Sequence, residues 1–164
     1  MKRFLVAVIL AVAPFSLLSA SAAKVPAKRW PLTVSTSSGV HEFRAEVAQT
    51  SAERSRGLMG REHLAEDAGM LFLYASEQPG RSGFWMYNTL ISLDIAFIDR
   101  VGRIVSTHTM LPCGSDAPGD CPVTRPGVPY RAALEVRAGR FEELGIKVGD
   151  CVAWPGHDTR CKPE

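Results

Sequence analysis

From Leu32 onward the chain is a succession of short apolar segments, each closed within a few residues by glycine, proline, serine, asparagine or aspartate. Many short segments punctuated in this way specify strands and turns, and so an all-β sandwich or barrel. Between Val40 and Val47, Val40, Glu42, Arg44 and Glu46 alternate with His41, Phe43, Ala45 and Val47. Period-two alternation predicts a strand whose Phe43/Ala45/Val47 face is buried. Leu32–Val34 is its hairpin partner across Ser35-Thr36-Ser37-Ser38-Gly39. Gly69 to Tyr74 reads as a strand buried on both faces, and Phe84 to Tyr87 as another, ending in a turn at Asn88-Thr89. Ile91 to Ile98 alternates cleanly, turns at Asp99–Gly102 and returns as Arg103–Met110. With Ile98 opposite Arg103, Asp94 faces Thr107 and Ser92 faces Thr109, unless a bulge at Gly102 shifts the register by one. Arg131–Val136 and Cys151–Trp154 complete the strands.

Helix signals are few. Thr50-Ser51-Ala52-Glu53 fits a capping box and predicts a short helix from Ser51 to Leu58 or Met59, with a second turn around Arg61–Leu64. Gly139–Leu144 has room for one more turn. The fold class is therefore mainly β: a compact β-sandwich or barrel with one or two short helices.

What precedes Leu32 is of a different kind. Lys2 and Arg3 form a basic start, Phe4–Leu18 an apolar stretch broken by Pro14 and Ser16, and Ala20-Ser21-Ala22 a small-residue cleavage site. Residues 1–22 read as a signal peptide rather than a span, which needs about 20 apolar residues. Residues 23–31, with two prolines and no periodicity, read as an exposed tether, and 32–164 as a single β-rich domain. At 46% hydrophobic and 22% charged, the chain is composed like an ordinary globular domain. The roughly 140 residues after the leader suffice for one core.

Removing Lys2 and Arg3 from the 19 basic residues leaves 17 against 17 acidic ones. A nucleic-acid binder needs a positive footprint, and basic side chains here are scattered, with no run beyond Lys28-Arg29. Nucleic acid and anionic membrane surfaces are poor partners. Export makes the four cysteines a disulfide framework with three connectivities. Cys113–Cys121 and Cys151–Cys161 are favoured, because each closes a short turn-rich segment that burial alone would not hold. Neither pair has the spacing of a zinc site. The expected compartment is periplasmic or secreted, with no stable membrane anchor after cleavage.

Several motifs combine into one pattern: Arg56-Gly57-Leu58-Met59, Gly69-Met70-Leu71-Phe72, Phe84-Trp85-Met86, Asn88-Thr89-Leu90 and Leu93-Asp94-Ile95-Ala96-Phe97-Ile98-Asp99. Ala133-Leu134-Glu135-Val136, Ala138-Gly139 and Gly145-Ile146-Lys147-Val148-Gly149-Asp150 follow. In order and spacing they resemble the domain of unknown function 192 family, over about Phe43 to Trp154. The resemblance implies a compact, often exported β-rich domain and brings no agreed activity. Tyr87 stands where the family commonly has a basic residue and Ser92 where it commonly has proline, and the Cys113–Cys121 loop is longer.

Among the polar residues, Asp94 stands alone in an apolar strand. Aligned with Ser92, Thr107 and Thr109, and with Trp85 and Asn88 from the preceding strand and turn, it would offer a carboxylate beside an aromatic plate, a small-ligand site. The plainer alternative has Asp94 bound to Arg56 or to backbone amides, locking the sheet. Glu135 lies between Leu134 and Val136 in a second apolar strand. With Asp94 it would supply the two carboxylates of a hydrolase, and Asp94 with Arg56 a second acid–base set. Solvent exposure, or pairing with Arg131 or Arg137, is the structural alternative for Glu135. No G-x-S-x-G elbow is present. His41, His63, His108 and His157 lack paired ligand spacing, and no cofactor or metal is called for. Met59, Met70, Met86 and Met110 with His108 leave soft-metal (copper) binding as a separate alternative. The sequence favours a non-catalytic domain that binds a small molecule or an envelope partner near Trp85, Asn88 and Asp94, with Arg56 and Glu135 as further candidates.

Overall fold

The computed structural model describes residues 28–157 and 160–163, so the predicted leader and most of the predicted tether lie outside the described residues. The chain enters as a hairpin. β1 (Arg29–Thr36) and β2 (Gly39–Ala48) pair antiparallel in register across a turn of only two residues, Ser37 and Ser38. The turn is tighter than the predicted five residues because the Thr36 hydroxyl accepts the amides of Ser38 and Gly39, both at 3.2 Å. β1 also starts earlier than Leu32. Trp30 packs against the core with the Lys28 ammonium 4.9 Å above its ring, so Arg29–Pro31 belong to the strand rather than to a tether.

β2 is followed in the sheet by β3 (Ala68–Gln78), and the two run parallel, from Arg44 opposite Ala68 to Ala48 opposite Phe72. A parallel pair needs a crossover of a dozen or more residues. Residues 49–67 provide it and contain α1 (Ser51–Arg56), which starts at the predicted capping box: Glu53 N–H donates to the Thr50 hydroxyl and Thr50 N–H to the Glu53 carboxylate. The predicted turn at Arg61–Leu64 is irregular instead, because Arg61 reaches across to the buried Glu46 carboxylate at 2.6 Å.

The remaining strands are β4 (Phe84–Trp85), β5 (Leu93–Ile98), β6 (Ile104–Met110), β7 (Val123–Thr124), β8 (Tyr130–Arg137) and β9 (Cys151–Ala153), with α2 (Arg140–Leu144) between the last two. Of the nine strands among the described residues, seven form one sheet in the order β6-β5-β8-β3-β2-β1-β9, antiparallel apart from β2–β3, and β4 pairs with β7 as a separate ribbon. The large sheet curls until its edges meet. Arg103 bridges Cys151, Ile104 N–H donates to Asp150 at 2.8 Å and Val152 N–H to Gly102 at 2.7 Å. The fold is thus mainly β, a curled half-barrel with two short helices.

The curl makes two cores. Leu32, Phe43, Leu71, Ile98, Leu134 and Val152 fill the enclosed face, which Phe141 and Ile146 cap from α2 and the loop after it. On the opposite face Phe72, Ile95, Phe97 and Tyr130 are covered by Phe84 of the ribbon and Leu58 beyond α1. Phe84 meets Phe72 edge-on at 4.9 Å and Phe97 at 5.6 Å, the geometry aromatic quadrupoles favour. Both predicted disulfides are formed, Cys113–Cys121 and Cys151–Cys161, with Cα separations of 5.5 and 5.6 Å. They suit an oxidising compartment. Among the described residues no helix is long and apolar enough to cross a membrane.

The β5–β6 register differs from expectation. Ile98 opposes Ile104, and Val105 is looped out before Phe97 meets Ser106, so Asp94 faces Thr109 rather than Thr107 and Ser92 lies outside the ladder. The cause is local: the Asp99 carboxylate accepts the amides of Val101 and Arg103, both at 2.9 Å, and draws Arg103 into the turn. The bulge then adds one more residue.

Candidate functional site

Asp94 is 3% exposed in a strand whose six residues are all buried. Its Oδ1 accepts the Thr109 hydroxyl at 2.7 Å and its Oδ2 the Phe141 amide at 3.1 Å. That amide is in the first turn of α2, where backbone N–H groups have no partner within the helix. Asp94 therefore fastens α2 to β5 and β6, each of its oxygens holding one donor. Of the residues expected around it only Thr109 is present. Arg56 is not its partner, and Trp85 and Asn88 lie elsewhere.

Glu135 is adjacent to Asp94 in register but not in space. Asp94 pairs with Val136 and Ile95 with Glu135. Because side chains alternate across a strand, the two carboxylates leave opposite faces of the sheet. Asp94 points to the enclosed core and α2, Glu135 to the face beneath α1 and the ribbon. The hydrolase arrangement kept as an alternative for this pair is not formed, nor is an Asp94–Arg56 set.

What the structure does assemble is Glu135, Arg56 and Trp85. They line one cleft with Arg54, Leu58, Phe72 and Phe84, and its cavity volume is about 30 Å³. That is room for a water or a small head group, not for a drug-sized ligand. Backbone geometry sets its walls. Gly69 allows β3 to approach β8, since a Cβ there would lie 2.6 Å from the Glu135 carbonyl. Gly57, at φ 47°, ends α1 and turns the chain inward so that Leu58 is buried. Arg54 is fixed by donating to the Gln49 carbonyl and, at 3.0 Å, to that of Leu73, with its guanidinium 4.7 Å from the Tyr74 ring centre. Arg56 is exposed, and its guanidinium makes no hydrogen bond or ion pair among the described residues. Trp85 is 42% exposed at the rim.

Glu135 is 4% exposed; its carboxyl makes no hydrogen bond or ion pair among the described residues, and its oxygens open into the cleft. Burial pushes its carboxyl up to about 8. The proposed structural partners Arg131 and Arg137 are not its partners, and Arg137 pairs with Glu143 at 2.6 Å instead. Tyr74, nearby on β3, is also raised by burial, partly offset by its hydrogen bond with Tyr130. Asn88 shapes the approach without lining the cleft. At φ 53° it holds a left-handed turn, and its carbonyl accepts the Gly60 amide at 2.8 Å.

Of the methionine set, Met59 is half-buried and lines the cleft. Met70, Met86 and Met110 are buried in the same cluster as Phe72 and Phe84. His108 is exposed, sharing a 2.9 Å hydrogen bond with Ser106. A larger groove of about 620 Å³ runs along β1 and β2 past Trp30, Pro31 and Arg44. Sequence inspection missed Arg54, Leu58 and Phe72 as cleft walls. The available signal was the Arg54-x-Arg56-Gly57 ending of the capped helix.

The sequence pattern of the DUF192 family, described as an uncharacterized ACR, matches residues 33–154. A crystal structure from Sinorhizobium meliloti, described as a "putative transcription regulator", is 32% identical with a TM-score of 0.72, covering 82% of this chain and 99% of that one. A protein of unknown function from Novosphingobium aromaticivorans is 36% identical with a TM-score of 0.67, covering 88% and 94%. No match was found among the curated proteins.

Proposed function

This chain belongs to the DUF192 family, which brings a fold and no activity, and on that premise we propose that it is an exported, non-catalytic binding domain whose site is the cleft over Glu135. The observation that carries this is the state of Glu135. A carboxyl buried without a partner is costly, and the same position in an apolar core would ordinarily hold an apolar residue. Here it opens into a cleft beside an unpaired guanidinium and an exposed indole, groups that gain from a ligand what the fold does not give them. Asp94, the other lone acid, holds Thr109 and Phe141 on the opposite face of the sheet and leaves no second carboxylate for acid–base work at this cleft.

Export rests on the leader-like residues 1–22 together with the two disulfides. It places the occupant of the cleft, a small molecule or a group on an envelope protein, in the periplasm or outside the cell. The Sinorhizobium meliloti protein's description would suggest nucleic acid. Without the leader the balance of 17 basic and 17 acidic residues gives no positive footprint for it.

The test is mass spectrometry of protein purified from its own compartment, under native and denaturing conditions. The denatured mass should lack residues 1–22 and four cysteine hydrogens. A carried mass in the native spectrum should disappear in Trp85→Ala and Glu135→Ala variants that still fold. A carried mass retained by both would remove the cleft as the site.

A further inference from the structure

Resting on that site, we propose that the cleft receives a small carboxylate head group, seated between the Glu135 carboxyl on its floor and the Arg56 guanidinium at its mouth, with the ligand's apolar remainder on the Trp85 ring. Charge is the first reason. Glu135 is the one acidic group lining the cleft, and burial favours its neutral form by pushing the carboxyl up to about 8, whereas Arg54 and Arg56 are cationic. The site is therefore net positive and opposes an ammonium group. Hydrogen-bonding capacity is the second. A protonated carboxyl is a donor in need of an acceptor, and among the described residues the Glu135 carboxyl makes no hydrogen bond. A carboxylate accepts from Glu135 with one oxygen and from Arg56 with the other, two charge-assisted bonds where a neutral amide would make one.

Space is the third reason. No ion pair joins Glu135 to Arg54 or Arg56 among the described residues, so a gap separates the two groups. Its volume of about 30 Å³ takes a head group but not a ring. The rest of such a ligand stays at the rim, where Trp85 lies 5.6 Å from Tyr87 and pairs with the exposed Val123. Arg54 and Arg56 line the cleft from the helix, and Tyr74 comes from β3 with its hydroxyl engaged by Tyr130; on Glu135's own face of the sheet β8 also carries Arg131 and Arg137, the latter paired with Glu143, and β6 carries His108 opposite Ile95, bonded to Ser106. β5 presents Leu93, Ile95 and Phe97 on this face, none of which carries charge. The carboxylate has two sources, a free organic acid or the C-terminus of a peptide.

The experiment follows the indole N–H signal of Trp85 by NMR in the disulfide-bonded protein, with Trp85→Phe assigning it. The titrants are phenylacetate, phenylacetamide, benzylammonium, and Gly-Gly-Phe with a free or an amidated C-terminus. Phenylacetate should shift the signal saturably and bind about tenfold or more tighter than the amide and the ammonium. Arg56→Gln should weaken it about ten- to a hundredfold. Wild-type binding should fade as pH rises through about 8, where Glu135 ionises and repels the ligand. Glu135→Gln, which keeps a neutral donor, should bind at about pH 6 and hold that affinity at about pH 9.5. Free-acid Gly-Gly-Phe binding more tightly than phenylacetate assigns the peptide terminus, and the reverse assigns the free acid. A shift produced equally by the amide, or more strongly by benzylammonium, would overturn the carboxylate while leaving the cleft as a binding site. A Trp85 signal that no titrant moves, or an affinity unchanged in Arg56→Gln, would overturn it too, and the carried-mass test separately decides the site.

Discussion

Two carboxylates one register step apart have opposite employment, and the difference is made by what each one meets. Asp94 meets a hydroxyl and a helix-end amide, Glu135 meets phenyl rings and a gap. Removing Asp94 strands both donors. Asp94→Ala should cost about 2–4 kcal/mol and lower Tm by roughly 5–15 °C, measured calorimetrically, while leaving phenylacetate affinity within about twofold. Glu135→Gln should act in the other direction, and only at higher pH. Unfolded, the carboxyl titrates near 4.5; folded, near 8. Between those values the folded state binds more protons than the unfolded one. Wild-type stability should therefore fall as pH rises across that window, by up to about 1.4 kcal/mol per unit, and level off above it. In Glu135→Gln that part of the slope should vanish in urea titrations run between about pH 5 and about pH 9. The sequence made both acids conspicuous, each alone among apolar neighbours. It could not show which was satisfied, because Asp94's partners are 15 and 47 residues away, on β6 and α2.

Short elements position the cleft, and their stability is borrowed. α1 has six residues and buries none of them, so it has no apolar face to hold it down. Its capping box and the Arg54 contacts to Gln49 and Leu73 hold it instead. Thr50→Ala should cost about 1 kcal/mol, a few degrees in Tm. Amide exchange should quicken through residues 54–57 well before the sheet opens, and phenylacetate binding should weaken along with it. The box was legible because it is a four-residue pattern with a local cause. The β5–β6 register was not, because it depends on a side chain, Asp99, drawing one residue into a turn, and on a bulge at Val105. The expected faces survived that shift of two, since an even slip preserves which side chains point inward. The cleft itself joins the end of a helix, a two-residue strand and a strand more than seventy residues later, a conjunction with no local signature.

At the scale of the molecule, the parallel step between β2 and β3 places a crossover over the sheet, and the meeting of the sheet's edges at Arg103 and Cys151 closes it. The second disulfide sits on that seam and fastens the C-terminal segment to β9. Replacing Cys151 and Cys161 together with alanine should cost about 2.5–3 kcal/mol by the chain-entropy estimate for so short a loop. The seam amides of Ile104 and Val152 should lose exchange protection first. The mainly β class was legible from turn spacing alone. The closure was not, because the bridging residues are 48 apart and only the completed curl brings them together.

Binding at the cleft turns on one group, and that group can be observed directly. The ¹³C signal of the Glu135 side-chain carboxyl should titrate near 8 in the free protein, with phenylacetate moving the midpoint higher still as the neutral donor is consumed by the bound anion. A midpoint in the ordinary carboxylate range near 4.5, unmoved by ligand, would mean that Glu135 is solvated or already paired, and would contradict the central claim.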